Sequence, residues 1–280
     1  MPPVPLETPH RWRGRLRCNT AMTQATTLPA WPYPRWIAHR GAGKLAPENT
    51  LAAFRLGASH DYRMFECDVK LSSDGVPFLL HDSTLQRTTD AKARLPSARS
   101  TVAGDWPWRE LSQLDAGGWH SPGFAGEPLP TLDAIATFCL GNGLLLNLEI
   151  KPTPCTERHT GEVVAHSVQR LWRDSIIKPL LTSFDIPALE GAQAAEPDLP
   201  RGLLLDTMRP DWLDVAGALG CQAVVCNYRL WNALTVAQAK AAGLRTLSYT
   251  VNDKDVAQDL IDLGTDGIIT DRVDLFAPAA

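Results

Sequence analysis

Three short stretches of this chain hold residue types that could do chemistry together: His39-Arg40-Gly41, Glu66-Cys67-Asp68 with His81 downstream, and Leu146-Asn147-Leu148-Glu149-Ile150-Lys151. Two histidines titrate near neutral pH and suit general acid and base work. Three carboxylates can hold a hard divalent cation through oxygen. An arginine and a lysine can clamp a phosphate. The combination describes a metal-assisted phosphoryl chemistry. A lone His-Arg pair or a Glu-x-Asp arises often by chance. The weight lies in their joint placement beside apolar runs that read as different strands.

The elements that must position these groups follow a periodic pattern. From residue 180, short apolar runs at Leu180–Ser183, Gly202–Leu205, Ala223–Cys226, Thr246–Thr250 and Gly267–Ile269 recur about every 20–23 residues, the length of a βα unit. Helical spacing fills the gaps. Val256, Leu260 and Leu263 follow Asp253 as N-cap and precede Gly264 as stop, and Gly220 and Gly243 end the two earlier helices alike. Trp36–His39, Met64–Val69 and Leu144–Ile150 complete a set of eight strands. The fold class expected is α/β, a TIM (β/α)8 barrel.

Val76–His81 follows Asp68 too closely for a parallel crossover. With Asp74-Gly75 as a two-residue turn, it is expected to fold back as a hairpin extension of strand 2. Residues whose numbers sum to 149 would then pair, and Asp68 would face His81. Residues 82–130 lack barrel periodicity and carry Trp106, Trp108 and Trp119. They read as an insertion between strand 2 and its helix, at the mouth where barrel active sites form, and are expected to cap the substrate. A helix starts at Thr131 with Leu132, Ile135, Ala136, Cys139 and Leu140 on one face.

Composition bounds the function. A length of 280 residues fits one barrel, and 44% hydrophobic with 21% charged residues is ordinary for a soluble globular enzyme. A net charge of −4 offers no basic field for nucleic acid or anionic membrane. No apolar run approaches the ~18–20 residues that span a bilayer, so no stable membrane insertion is expected. Six scattered cysteines (Cys18, Cys67, Cys139, Cys155, Cys221, Cys226), without a C-x-x-C pair, fit a reduced, cytoplasmic setting. Residues 1–30 carry several prolines and the cluster Arg11, Arg13, Arg15 and Arg17, with no apolar stretch after it. They are expected to be a disordered leader, with Met22 as an alternative start, which leaves 31–280 as a single catalytic domain.

The stretch Ile37-Ala38-His39-Arg40-Gly41-Ala42-Gly43-Lys44-Leu45-Ala46-Pro47-Glu48-Asn49-Thr50 resembles the opening signature of the glycerophosphodiester phosphodiesterase family. The likeness continues through Glu66-Cys67-Asp68-Val69, Leu79-Leu80-His81-Asp82, Leu148-Glu149-Ile150-Lys151, Tyr249-Thr250-Val251-Asn252 and Gly267-Ile268-Ile269-Thr270-Asp271, covering about residues 31–276. Within the family, Trp31-Pro32-Tyr33-Pro34 and Arg201-Gly202-Leu203-Leu204-Leu205-Asp206 are most similar to the cytoplasmic bacterial enzyme associated with glycerol-3-phosphate uptake.

The resemblance implies Glu66, Asp68 and Glu149 as ligands of Mg²⁺ or Ca²⁺, with Mn²⁺ a third candidate; oxygen-only ligation argues against zinc. It implies His39 and His81 as the acid/base pair, Arg40 and Lys151 as holders of the phosphate oxygens, and Tyr249, where many relatives carry Trp, as an aromatic wall for glycerol. The expected reaction is hydrolysis of a small glycerophosphodiester, such as glycerophosphocholine or glycerophosphoethanolamine, to sn-glycerol 3-phosphate and an alcohol. Attack by water and attack by the neighbouring glycerol hydroxyl stay open, as does which histidine is the acid. The oligomeric state is not legible.

Other residues read less sharply. Glu48 either orients His39 or touches the substrate, or simply precedes an N-cap at Asn49 or Thr50. Cys67 should point away from the site. Asn252 is a pocket hydrogen bonder or a helix cap. Ala91-Lys92-Ala93-Arg94 replaces a glycine-rich pattern common in the family. His60, His120, His159 and His166 are expected to be surface or packing residues without partners. Three rivals remain: a lysophospholipase D, needing an apolar groove in the insertion; a non-catalytic phosphodiester-binding barrel, disfavoured by the complete catalytic set; and a zinc amidohydrolase, which lacks its H-x-H pair.

Overall fold

Met64–Leu71 is buried at all eight positions, as a strand must be when helices cover one face and a filled barrel interior the other. The computed structural model describes residues 30–96, 100–276 and 278; the expected leader, save Ala30, lies outside them. Along the chain run β1 (Trp36–Ala38), α1 (Leu51–Ser59), β2 (Met64–Leu71), β3 (Pro77–Leu79), α2 (Ala91–Arg94), α3 (Trp108–Leu111), α4 (Leu132–Gly141) and β4 (Leu145–Ile150). There follow α5 (Glu157–Leu171), β5 (Leu180–Ser183), α6 (Ile186–Ala195), β6 (Arg201–Leu205), α7 (Trp212–Ala218) and β7 (Ala223–Asn227). The last elements are α8 (Ala233–Ala241), β8 (Arg245–Tyr249), α9 (Lys254–Asp262) and β9 (Gly267–Thr270). β1, β2 and β4–β9 are parallel neighbours, and β1 pairs with both β9 and β2, which closes the eight-stranded TIM barrel.

Side chains such as Ile37, Met64, Leu180, Val225, Leu247 and Ile269 form one interior cluster. Two larger clusters fill the layer between strands and helices. Gly220, Gly243 and Gly264, at φ +59°, +80° and +80°, end α7, α8 and α9 in the left-handed conformation that a helix stop requires. Asp253 caps α9 by accepting from the Asp255 and Val256 amides. Among the described residues no helix is long and apolar enough to cross a membrane.

Two expectations are corrected. β3 does pair antiparallel with β2, but the register is Val69↔Leu79 and Lys70↔Phe78, so Asp68 faces Leu80 and His81 lies one residue beyond. The turn holds three residues rather than two. Gly75 takes φ +80°, the left-handed third position of a three-residue hairpin loop, and Ser72 Oγ donates to Asp74 Oδ1 and accepts from the Val76 amide. In α4, Leu132, Ile135, Ala136 and Cys139 are buried but Leu140 is 42% exposed. At 3.6 residues per turn it lies about 80° round the helix from Leu132, at the edge of the buried face.

The 82–130 insertion builds its own core around Trp106, Leu85, Leu111 and Leu114, seated on Phe78 and Leu80. Trp106 is 1% exposed and Trp108 packs on Phe78, whereas Trp119 is 40% exposed.

Candidate active site

Inward side chains recur every second residue along a strand, and β2 and β4 run parallel in the register Glu66↔Asn147 and Asp68↔Glu149. The two strands therefore build a ladder of polar rungs: Glu66 with Asn147, Asp68 with Glu149, and at the lip Lys70 with Lys151. Lys70 Nζ donates to the Lys151 carbonyl at 3.1 Å. Glu66, Asp68 and Lys70 are only 3%, 1% and 2% exposed, so water does not solvate these charges. Cys67, between the two acids, points into the helix-side core with Cys139, as expected, and burial pushes its thiol well up.

One oxygen each from Glu66, Asp68 and Glu149 lie within 4.8 Å of one another. Their electrostatics ask for a cation. Burial, with Asp68 and Glu149 adding repulsion, holds Glu66 well above the usual carboxylate range, and burial with Asp68 raises Glu149 to about 7. Burial would raise Asp68 too, but Arg40, His81 and Lys151 outweigh it and hold that carboxyl low. Glu66 Oε1 and Asp68 Oδ1 are buried with no hydrogen-bond donor. Such orphaned anionic oxygens are costly unless something positive fills the space between them. The donor set fits a hard divalent cation.

Each histidine is braced on the nitrogen away from the other site groups. His39 follows β1; its Nδ1 lies 2.6 Å from Asp271 Oδ1, while Nε2 stands 3.7 Å from Glu66. Asp271, just after β9, is fixed in turn by Asn252, whose Nδ2 donates to Oδ2 at 2.9 Å and whose Oδ1 accepts from the Asp271 amide. Asn252 is thus a buttress rather than a cap. His81 Nδ1 lies 2.8 Å from Asp82 Oδ1. A carboxylate on Nδ1 fixes the tautomer with the proton there and leaves Nε2 to exchange protons.

Arg87, from the insertion, links the two sides of the site. Its guanidinium donates to Asp82, which holds His81, and to Glu48, which accepts from Arg40 Nη1 at 2.9 Å. Glu48 therefore neither orients His39 nor serves only the helix start; Thr50 is the N-cap of α1. Arg40 itself sits at φ +51°, a left-handed conformation that costs a non-glycine residue about 1–3 kcal/mol. The strain aims its amide at Glu66 Oε2, 3.1 Å away. Lys151 Nζ is 3.0 Å from Glu149 and 4.0 Å from Asp68.

The opposite wall is apolar. Phe184, Leu204, Tyr249 and Ile269 close a cavity of about 170 Å³ against His39, Arg40, Glu66, His81, Glu149 and Lys151. The Tyr249 hydroxyl donates to the Leu205 carbonyl at 3.0 Å, which leaves its ring as the cavity surface. His39, Arg40, Glu66, Asp68, His81, Glu149, Lys151 and Tyr249 thus meet at one place.

Asp271, Asn49, Arg87, Asn147 and Phe184 were not singled out from the sequence as site residues. Asn49 donates to Asp68 Oδ2 at 2.8 Å and accepts from the Asp68 amide. The alternation Glu-x-Asp-x-Lys and Asn-x-Glu-x-Lys on β2 and β4 was the signal for Asn147 and Lys70. Among the other histidines, His166 pairs with Glu196 and His120 with the Lys44 carbonyl, so these two do have partners.

Residues 39–275 match the sequence profile of the Glycerophosphoryl diester phosphodiesterase family. The chain is 30% identical over 247 residues to YhdW of Bacillus subtilis (strain 168), covering 85% of this chain and 94% of that one. It is likewise 30% identical over 238 residues to a glycerophosphodiester phosphodiesterase of Caldanaerobacter subterraneus subsp. tengcongensis, covering 84% and 93%. An Oleispira antarctica phosphodiesterase, whose structure was solved with the product sn-glycerol-3-phosphate, superposes with a TM-score of 0.76 at 32% identity, covering 85% of this chain and 93% of that one. The chain belongs to the glycerophosphoryl diester phosphodiesterase family of enzymes.

Proposed function

We propose that the protein hydrolyses small glycerophosphodiesters to sn-glycerol 3-phosphate and an alcohol, using a divalent cation (Mg²⁺, Ca²⁺ or Mn²⁺) held by Glu66, Asp68 and Glu149. The observation that carries the reading is the convergence on one cavity of three mutually repelling buried carboxylates with two histidines, each braced through Nδ1. When bound, the cation supplies positive charge against the charge that builds on the phosphate. Arg40 and Lys151 hold the phosphate oxygens from either side. Between His39 and His81, one accepts the proton of the attacking hydroxyl or water through Nε2, and the other donates a proton to the departing alkoxide. A new phosphorus–oxygen bond forms as that to the alcohol breaks; with water as attacker this gives glycerol 3-phosphate directly, and with the glycerol hydroxyl it gives a cyclic phosphate that water then opens. The Tyr249 ring packs on the glycerol.

The packing of Trp106 and Trp108 into the insertion's own core favours a small diester over a lysophospholipid, since these rings are withdrawn from any lipid groove. The insertion instead contributes Arg87, Trp119 and His120 to the groove beside His39, and there it caps the site. Among the described residues five cysteines are unpaired, three of them buried, which supports a reduced cytoplasmic setting.

The test is purified protein with glycerophosphocholine, stripped by chelator and then restored with each cation, with glycerol 3-phosphate followed by a coupled dehydrogenase. Chelator-sensitive, cation-restored release is expected. Folded protein that releases nothing from this or other glycerophosphodiesters, with any of the three cations, would contradict the assignment.

A further inference from the structure

We propose that the groove leading outward from His81 over Lys70 and Lys151 to Phe184 and Asp185 is the subsite for the alcohol half of the diester, and that it favours alcohols bearing an ammonium group. The inference rests on the hydrolytic reading above and names the substrate class within it. The groove, about 470 Å³, shares His81, Glu149, Lys151 and Phe184 with the central cavity, so a diester whose phosphate lies between Arg40 and Lys151 can send its alcohol there.

The charge along this groove runs from positive inside to negative outside. At the inner end stand the ammonium groups of Lys70 and Lys151. Two of the three lining carboxylates are already engaged, Glu149 by Lys151 and Asp82 by His81 and Arg87. Asp185 differs. It occupies the N-cap position of α6, where an aspartate ordinarily caps through its carboxylate, yet its side chain makes no capping bond. Its bonds are made by the backbone alone: the amide donates to Ser183 Oγ at 3.1 Å, and the carbonyl accepts from the Ala188 and Leu189 amides. No hydrogen bond or ion pair among the described residues uses its carboxylate, so it has no visible structural task. Glu157, from α5, adds negative potential at Asp185, and Lys151 and Lys70 add positive potential there.

Next to Asp185, Phe184 leaves 40% of itself exposed. Its ring already has one cation near it, Lys151 Nζ at 5.8 Å from the centroid. An aromatic face beside a free carboxylate is a recognition surface for an ammonium group, including a quaternary one that cannot donate hydrogen bonds. A phosphate esterified to an amino alcohol is itself a dipole, negative at phosphorus and positive a few bonds outward. It would lie in the groove with its phosphate toward Lys70 and Lys151 and its ammonium toward Asp185. A neutral polyol gains nothing from that carboxylate, and an anionic alcohol is repelled.

The test compares kcat/KM for glycerophosphocholine and glycerophosphoethanolamine with that for glycerophosphoglycerol, in the wild type, Asp185→Asn and Asp185→Lys. The asparagine is isosteric, and melting curves establish that each variant folds. The cationic-to-neutral ratio should fall about 5–10-fold in Asp185→Asn, the scale of one exposed ion pair with a cation–π contact, and further in Asp185→Lys. A ratio unchanged in both variants overturns the subsite while leaving hydrolysis intact. Calorimetric titration of the chelated proteins with the same intact diesters reads the preference without turnover. Preferential binding of the cationic diesters by the wild type, lost in Asp185→Asn, would uphold the subsite even if no hydrolysis occurred. No such preference in wild-type binding would overturn it.

Discussion

The two walls of the cavity are built from opposite materials. β1, β2, β4 and the hairpin supply His39, Arg40, Glu66, Asp68, His81, Glu149 and Lys151, whereas the strands from β5 to β9 supply Phe184, Leu204, Tyr249 and Ile269. Charges crowd onto adjacent strands because parallel pairing sets inward residues level, Asp68 with Glu149 and Glu66 with Asn147, so that several groups can act on one phosphate. The apolar wall offers no proton and no charge; in the proposed reaction it shapes the space for glycerol. The charged wall should therefore govern kcat, and the apolar wall KM.

The largest effect should come from the charged wall. His39→Ala and His81→Ala are each expected to lower kcat about 10²–10⁴-fold, with an unchanged circular dichroism spectrum. Near-wild-type turnover in both would remove the acid/base roles. Next comes the support behind that wall. Asp271→Asn should lower kcat about 10–100-fold, because an amide no longer fixes the His39 proton on Nδ1 and leaves the Asn252 contact half satisfied. A loss confined to KM would mean that Asp271 acts on binding instead.

The apolar wall should respond differently. Tyr249→Ala is expected to raise KM about 3–10-fold with kcat largely kept, and Tyr249→Phe to change little, since the hydroxyl serves the Leu205 carbonyl. A kcat collapse in Tyr249→Phe would move this residue to the chemical side of the comparison.

The smallest effect is one of pH. With Glu149 at about 7 and Glu66 also raised, protons compete with the cation. Calorimetric cation affinity should weaken as pH falls through about 7. The stability of the cation-free protein runs the opposite way. The unfolded carboxyls lose their protons first, so these two groups lower the stability of cation-free protein as pH rises from their unfolded values toward their raised native ones, about 7 for Glu149. Added cation should then raise Tm more at pH 8 than at pH 5.5; an equal rise at both would argue against these ligands.

The barrel was legible because its second half repeats one unit, with each strand a short buried run and each of α7, α8 and α9 closed by a glycine at positive φ. The hairpin register was not, since Asp74-Gly75 allows both a two-residue turn and a three-residue loop, and only the Ser72 side chain bonds favour the latter. The proposed reacting groups stand out by residue type. Their supports do not. Asn49, Arg87 and Asp271 are ordinary polar residues; Arg87 reaches Glu48 across 39 positions, and only closure of β9 onto β1 brings Asp271 to His39.

The central claim is that the charged wall directs hydrolysis at phosphorus, and ³¹P NMR of the cation-restored enzyme turning over glycerophosphocholine in ¹⁸O water tests it most directly. The expected result is glycerol 3-phosphate carrying one ¹⁸O on phosphorus, with unlabelled choline. Label in the choline, or no hydrolysis at all, would contradict it.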